Sequence, residues 1–183
     1  MFSHVTTTYL RRFSEILDRM ILGMTGAELT DSISHNFIVQ MIPHHRAAIE
    51  MSENLLRFTT CVPLQAIASG IIAEQTESIR DMEEALPRCS ARENTPQELC
   101  RYQCAMRRII QKMFCRMASV HATNSVNADF IRQMIPHHEG AIQMSKNALR
   151  YPLCPELRPI LDAIIRSQER GVRQMRALLS QMD

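Results

Sequence analysis

The chain has 183 residues, 13 methionines, six cysteines and no tryptophan, and its formal net charge is +2. This length suffices for one domain with a hydrophobic core, and the small net charge excludes a global attraction to nucleic acid. The longest apolar stretch, residues 66–73, is far shorter than the roughly 20 residues of a membrane-spanning helix and is broken by Ser69 and Gly70. Good helix formers such as Leu, Met, Ala, Gln and Arg dominate, so the composition predicts an all-α protein.

The first residues give an expectation about the compartment. Residues 1–20 lack a basic segment followed by an apolar one, which is the pattern of a cleavable signal peptide. The chain as written is therefore expected to be cytoplasmic, although a chain trimmed of an export signal and given a new Met1 would look the same. In a cytoplasmic protein the six cysteines are expected to be thiols rather than disulfides. They are either soft metal ligands or small, partly buried hydrophobes.

Three helices are predicted in the first half of the chain. The first carries apolar residues at positions 13, 17, 20 and 24. The second has Asp31 as its predicted N-cap, and Pro43 is expected to kink it or to make it restart. Its core stripe has spacings of 4, 3, 4, 3 and 4 residues, typical of one helix face, and consists of Phe37, Met41, His44, Ala48, Met51 and Leu55. The third helix has its stripe at positions 64, 67, 71, 75, 82 and 86.

A linker, PRCSARENTPQEL, leads into three further predicted helices. Thr95 is the predicted N-cap of the fourth helix, with Pro96 at its first position and Glu98 closing a capping box. This helix has apolar residues at positions 106, 110, 113 and 117. The fifth has Asn127 as its predicted N-cap, a stripe at positions 130, 134, 137, 141, 144 and 148, and an interruption at Pro136. The sixth has its stripe at positions 157, 160, 164, 168, 175 and 179.

The two halves of the chain are similar in sequence. A shift of 93 positions aligns residues 37–86 with residues 130–179, and 24 of these 50 pairs are identical, whereas unrelated sequences would share about 3. We interpret this as an internal duplication within one helical-bundle domain, 1–183, with a first repeat at 9–86, a linker and start of the second repeat at 87–101, and a second repeat at 102–183. Six helices with short connections predict an antiparallel bundle with pseudo-twofold symmetry, in which the two motif helices meet in the middle.

The most similar stretch of the two repeats is a histidine pair bracketed by methionines. It reads QMIPHHRAAIEMS at residues 40–52 and QMIPHHEGAIQMS at residues 133–145. The first histidine of each copy lies in the apolar stripe, and the second is rotated by about 100° toward a neighbouring helix or solvent. The candidate metal ligands are His44, His137, Met41, Met134, Met51, Met144, His45 and His138.

Imidazole and thioether together favour a soft or borderline metal. Methionine sulfur selects Cu(I), whereas imidazole also suits Zn, Fe or Ni, so the sequence predicts a copper ion, Cu(I) first, with other d-block metals open. A carboxylate-bridged di-iron site would require Glu-x-x-His, and the chain has Met-x-x-His in both copies. The competing hypothesis is a structural or protein-interaction bundle whose histidines form a buried hydrogen-bond network.

No catalytic constellation is evident in the sequence. Gly-rich phosphate loops, G-x-S-x-G and H-E-x-x-H are absent. The sequence therefore favours a binding protein over an enzyme, and a redox enzyme with a bundle-bound metal stays open as a third hypothesis. The predicted partner is a metal ion, without nucleic acid and without a membrane span. A homodimer is also considered, because a Met-rich helical surface left exposed by the fold would self-associate.

The doubled motif M-x-x-HH-x-x-A-I-x-M resembles the domain of unknown function 305 family. In each copy it is followed about 25 residues later by a glutamine and a methionine, Gln75 and Met82 in the first and Gln168 and Met175 in the second. The resemblance implies a ferritin-like helical bundle made of two similar halves, and some members, exported ones in particular, are implicated in copper binding and copper tolerance. The chain departs from the family pattern at Arg170, whose counterpart in the first copy is Glu77.

Overall fold

A computed structural model describes residues 1–182, which form six α-helices and no strand. The helices are α1 (His4–Thr25), α2 (Ile33–Leu56), α3 (Val62–Ser90), α4 (Pro96–Ala118), α5 (Val126–Ala148) and α6 (Leu157–Leu179). The prediction of an all-α protein is confirmed. None of the helices within residues 1–182 is long and apolar enough to cross a membrane.

The ends of the helices follow local side-chain chemistry. The predicted capping box of α4 is confirmed, because Thr95 accepts from the backbone N–H of Glu98 while Glu98 accepts from the backbone N–H of Thr95. The N-caps predicted for the two motif helices were wrong. Serines take those positions: Ser32 accepts from the N–H of residue 35, and Ser125 accepts from the N–H of residue 128.

The internal prolines do not make the motif helices restart. Pro43 lies inside α2 and Pro136 lies inside α5, and both helices continue past them. A proline removes one intrahelical hydrogen bond. Since most helical stability in a protein comes from packing, the extensive burial of α2 and α5 compensates for that loss.

Each motif helix runs antiparallel to the helix before it. Asn54 near the end of α2 donates to the carbonyl of Tyr9 near the start of α1, and Gln40 donates to the carbonyl of Met24 at the other end of α1. The second half has the same contact, with Asn147 of α5 donating to the carbonyl of Tyr102 of α4. Helices α2 and α5 contact each other in the centre, and α3 contacts α6.

The methionines fill the core of the bundle. Eleven of them are no more than 2% exposed: Met20, Met24, Met41, Met51, Met82, Met106, Met113, Met117, Met134, Met144 and Met175. The thioether is flexible and fills irregular gaps between helices. The stripes therefore do not leave the exposed Met-rich surface on which the expectation of a homodimer depended.

One pair of cysteines differs from the expectation of thiols. Cys89 at the end of α3 and Cys154 in the segment before α6 form a disulfide, with their Cα atoms 5.2 Å apart, within the usual range for such a bond. Cys61, Cys100, Cys104 and Cys115 are free. The expectation rested on an inferred cytoplasmic location, and spacing along the chain gave no sign that residues 65 positions apart meet.

Candidate metal centre

The first histidines of the two motifs meet in the middle of the bundle. His44 of α2 and His137 of α5 are both 0% exposed, and their rings stack with centroids 3.6 Å apart and an interplanar angle of 25°. Each Nε2 lies 3.2 Å from the backbone carbonyl oxygen of the other histidine. A carbonyl only accepts, so both imidazoles carry their proton on Nε2 and donate it across the helix pair.

The remaining ring nitrogen of each inner histidine is a free acceptor. With the proton on Nε2, Nδ1 of His44 and of His137 carries a lone pair, and both Nδ1 atoms are buried without a hydrogen-bond partner. Burial, together with the proximity of His137, lowers the pKa of His44 well below its usual value. Burial lowers the pKa of His137 to about 3, against a smaller opposing effect of its bond to His44. Both rings are therefore neutral at pH 7, which is the form that binds a metal.

The second histidines, His45 and His138, lie beside the inner pair and are also buried. They are 1% and 2% exposed, and their Nδ1 atoms have no hydrogen-bond partner in the protein. His138 packs closely against α6, since a Cβ placed on Gly171 would lie 2.9 Å from its Cδ2. Burial lowers the pKa of His45 to about 3 and also lowers that of His138. The sequence left these rings pointing either to a neighbouring helix or to solvent, and the structure leaves only 1% and 2% of the two residues exposed.

The four methionines of the motifs are fully buried at different distances from the inner histidines. Met41 and Met134 each precede their histidine by three residues, about 4.5 Å along the helix axis. Met51 and Met144 follow by seven residues, about 10 Å along the axis. All four are 0% exposed. Helix geometry therefore places Met41 and Met134 nearer to the histidine pair.

The centre has two unpartnered inner imidazole nitrogens, and the buried methionines of the motifs lie about one and two helical turns away along the same helices. Among residues 1–182, the group of three Cys, His, Asp or Glu ligand atoms lying within 4.8 Å of one another is Cys89, Cys154 and Glu156, and its two sulfurs are already joined in the disulfide. Three histidine nitrogens do not come together in this way within the described residues. Two imidazole nitrogens with methionine sulfurs make a soft donor set, which suits Cu(I) better than a hard cation.

Some residues around the histidines were not anticipated as site residues. Gln75 and Gln168 belong to the predicted core stripes and are buried as expected, at 3% and 2% exposed. Their side chains nevertheless contain buried amide atoms without a hydrogen-bond partner. Arg170, noted as a departure from the repeat, forms a hydrogen-bonded ion pair with Glu74 of α3 at 2.7 Å. Two features of the sequence could have pointed to these residues. One is the single polar residue in each apolar stripe, and the other is the difference between the two repeats at position 170.

The family model described as "Domain of unknown function (DUF305)" matches residues 34–179. The chain belongs to the DUF305 family. The resemblance seen in the doubled motif is thereby confirmed, and the match covers both histidine pairs. A comparison with curated proteins found no significant match.

Solved structures similar to this DUF305 protein include several forms of the protein CopM. CopM in an Ag-bound form is 29% identical, with a TM-score of 0.61, over 84% of this chain and 98% of that one. CopM in the Cu(I)-bound form is 28% identical, with a TM-score of 0.60, over 85% and 99% of the two chains. A DUF305 fragment from Deinococcus radiodurans, 23% identical with a TM-score of 0.61 over 81% and 96% of the two chains, supports the fold alone.

Proposed function

We propose that this protein binds a soft metal ion, Cu(I) first, in a centre built from both halves of the chain, and that it buffers or delivers the ion. The inner ligands are the Nδ1 atoms of His44 and His137. The remaining proposed ligands are Met41, Met134, Met51, Met144, His45 and His138.

The observation that carries this proposal is the pair of hydrogen bonds from Nε2 to the opposite backbone carbonyl. Metal-ligating histidines commonly donate their other ring N–H to a carbonyl or carboxylate, which fixes the tautomer and the orientation of the ring. Here that bond leaves a neutral, buried and unpartnered Nδ1 on both His44 and His137. Burying such acceptors without a partner costs free energy, and a bound metal ion would offset that cost.

The structural neighbours support the same class of ligand. CopM has been solved in Cu(I)-bound, Cu(II)-bound and Ag-bound forms, at 28%, 26% and 29% identity to this chain. Silver(I) and copper(I) are both soft ions that favour sulfur and imidazole donors. His44 and His137 would supply imidazole donors of this kind, and the buried motif methionines would supply the sulfur.

The test is an anaerobic titration with Cu(I) against a competing chelator, with elemental analysis of the purified protein. We expect tight binding by the wild type and at least about a tenfold weaker affinity, 1.4 kcal/mol, for His44→Ala/His137→Ala. The control variant is His4→Ala/His121→Ala, in which two exposed histidines are removed. Undiminished binding by the first variant would move the site elsewhere, with the cysteines as the next candidates. No binding by the wild type would end the proposal.

The same titration measures how much each pair of methionines contributes to the Cu(I) affinity. Met→Leu keeps the side-chain volume and therefore changes packing little. Met41→Leu/Met134→Leu removes the thioethers within one turn of the histidine pair, and Met51→Leu/Met144→Leu removes those two turns away. The first pair of substitutions is expected to weaken Cu(I) binding more than the second.

A second candidate function is favoured by the same hydrogen bonds. The two bonds between α2 and α5 would fix the register of the two halves in a structural or protein-interaction bundle. In that case His44→Gln or His137→Gln would lower the melting temperature equally with and without metal. The metal-binding function instead predicts lost affinity with a smaller change in the stability of the apo-protein.

A further inference from the structure

A cleft between α3 and α6 reaches the second histidine of each motif. One arm, of about 400 Å3, is lined by His45, and the adjoining arm, of about 470 Å3, is lined by His138. We name this feature the α3–α6 cleft. The residues common to both arms are Glu74, Gln75, Ser167 and Arg170.

The inner wall of the α3–α6 cleft contains polar atoms that the protein does not satisfy. Both amide atoms of Gln75, the amide oxygen of Gln168 and the hydroxyl of Ser78 are buried without a hydrogen-bond partner in the protein. The two glutamines are 3% and 2% exposed. Buried polar groups of this kind are few in folded proteins, and a site that takes up an ion or water is one reason for them. The cleft is therefore suited to a polar or charged ligand.

An ion pair lies where the two arms meet. Arg170 of α6 donates to Glu74 of α3 at 2.7 Å, and the side chains are 49% and 44% exposed. The repeat does not reproduce this pair, because the positions equivalent to Glu74 and Arg170 are Ser167 and Glu77. The pair thus joins the two halves at the mouth of the cleft.

We propose that the α3–α6 cleft is the route by which the metal ion reaches and leaves the inner histidines, and that the Glu74–Arg170 pair restricts this route. The inference rests on the proposed function. His45 and His138 stand between the cleft and the centre, with ring centroids 5.8 Å and 5.9 Å from those of His44 and His137. An ion in the cleft therefore contacts an outer imidazole first. It then has to move about one ring-to-ring distance to reach an inner imidazole.

The experiment measures rates of Cu(I) uptake and release by stopped flow under anaerobic conditions, beside the equilibrium affinity. Arg170→Gln and Glu74→Gln each break the pair, and both are expected to raise both rates up to about fivefold, the factor for an exposed pair, with an unchanged Kd. Arg46→Gln is the matched control, because it removes the same charge from another exposed pair between α2 and α3, Arg46–Glu83 at 2.9 Å.

A second variant obstructs the cleft. Ser167 lies in both arms, and its hydroxyl donates to the Ile164 carbonyl of its own helix. Ser167→Phe is expected to slow uptake and release by about tenfold, equivalent to a barrier about 1.4 kcal/mol higher, whereas Ser167→Ala should leave both rates unchanged. Circular dichroism and thermal unfolding check that the variants are folded.

The outcomes separate the two proposals. If the wild type binds Cu(I) but none of these variants alters a rate, the route is overturned and the metal centre stands. If Arg170→Gln speeds uptake and Glu74→Gln slows it, the two charges act only through long-range attraction and the restricting role of the pair is wrong. If the wild type does not bind Cu(I), both proposals fall.

Discussion

Four imidazoles are buried side by side in the centre of this protein, and the pKa of each is lower than that of an exposed histidine. The burial that keeps them neutral lowers the pKa of His45 and His137 to about 3 and lowers those of His44 and His138 as well. Burial favours the neutral form of each imidazole over the protonated form, and the neutral form is the one that can bind a metal. The same burial makes the stability of the protein depend on pH.

The free energy of unfolding is expected to fall as the pH drops from 7.5 to 5.5. In the unfolded chain the histidines take up protons near pH 6.5, whereas in the folded protein they stay neutral down to about pH 3 for His45 and His137. The unfolded state then binds more protons, so stability is complete above pH 6.5 and is lost below it, by up to about 1.4 kcal/mol per pH unit for each such histidine.

Urea unfolding of the metal-free protein at several pH values checks this expectation. The window above pH 5.5 lies above the usual pKa of carboxyl groups, so the histidines dominate the slope there. His44→Gln/His137→Gln removes two of the four buried imidazoles and should make the slope shallower. A wild-type stability that is flat between pH 7.5 and 5.5 would contradict the burial of neutral imidazoles.

At the scale of helices, hydrophobic spacing predicted most of the fold. The stripes of α2 and α5 placed the first histidine of each motif on the buried face, and both are buried. The stacking of His44 on His137 and the carbonyl partner of each ring could not be predicted, because they depend on the crossing of two helices 93 residues apart in the chain. The methionine contacts to a metal, and the assignment of the repeats to a duplication, stay predictions.

The polar residues around the site were harder to predict for a different reason. Arg170 is opposite in charge to Glu77, its counterpart in the repeat, and only the packing of α3 against α6 shows that it pairs with Glu74. Likewise Cys61 is the repeat equivalent of Cys154, yet Cys154 is bonded to Cys89. The partners of side chains that connect the two halves are determined by tertiary contacts. The hydrophobic periodicity of a single helix does not predict such contacts.

Two helical glycines are expected to respond in opposite ways to alanine. A Cβ on Gly23 of α1 would lie 2.8 Å from the Cβ of Pro43 on α2, whereas a Cβ on Gly70 of α3 meets nothing within 4 Å. Gly70→Ala should stabilise the protein by about 1 kcal/mol, the difference in helix propensity. Gly23→Ala gains the same propensity but overpacks a rigid contact at a cost of about 1–3 kcal/mol, so it should be neutral to destabilising.

Chemical denaturation of the two alanine variants measures this difference, with wild type as the reference. The contrast matters for the centre because α1 approaches α2 at the proline that precedes the histidine pair. Equal stabilisation by both substitutions would show that α1 and α2 lie further apart at this point than a 2.8 Å Cβ–Cβ approach implies.

At the scale of the whole molecule, the Cys89–Cys154 disulfide cross-links the segment that follows the first repeat to the second repeat. It joins the end of α3 to the segment before α6, next to the start of α2, where Ser32 donates to the carbonyl of Cys89 and Ser34 accepts from the N–H of Cys154. Its loop of 65 residues corresponds to about 4 kcal/mol of lost unfolded-state entropy in the chain-entropy model. Such bonds persist in oxidising compartments.

Removal of this link by Cys89→Ala/Cys154→Ala is expected to lower the free energy of unfolding by about 2–4 kcal/mol, the usual range for a disulfide. The native state should keep its helical content, because the noncovalent core of six helices does not depend on the bond. Urea unfolding monitored by circular dichroism measures the change, and a thiol reductant should bring the wild type to a similar stability. Cys100→Ala/Cys104→Ala, which removes two exposed thiols of α4, is the control and should leave stability unchanged. Equal stability of all three proteins, with alkylation finding six free thiols in the wild type, would show that the cysteines remain reduced and that no disulfide contributes to stability.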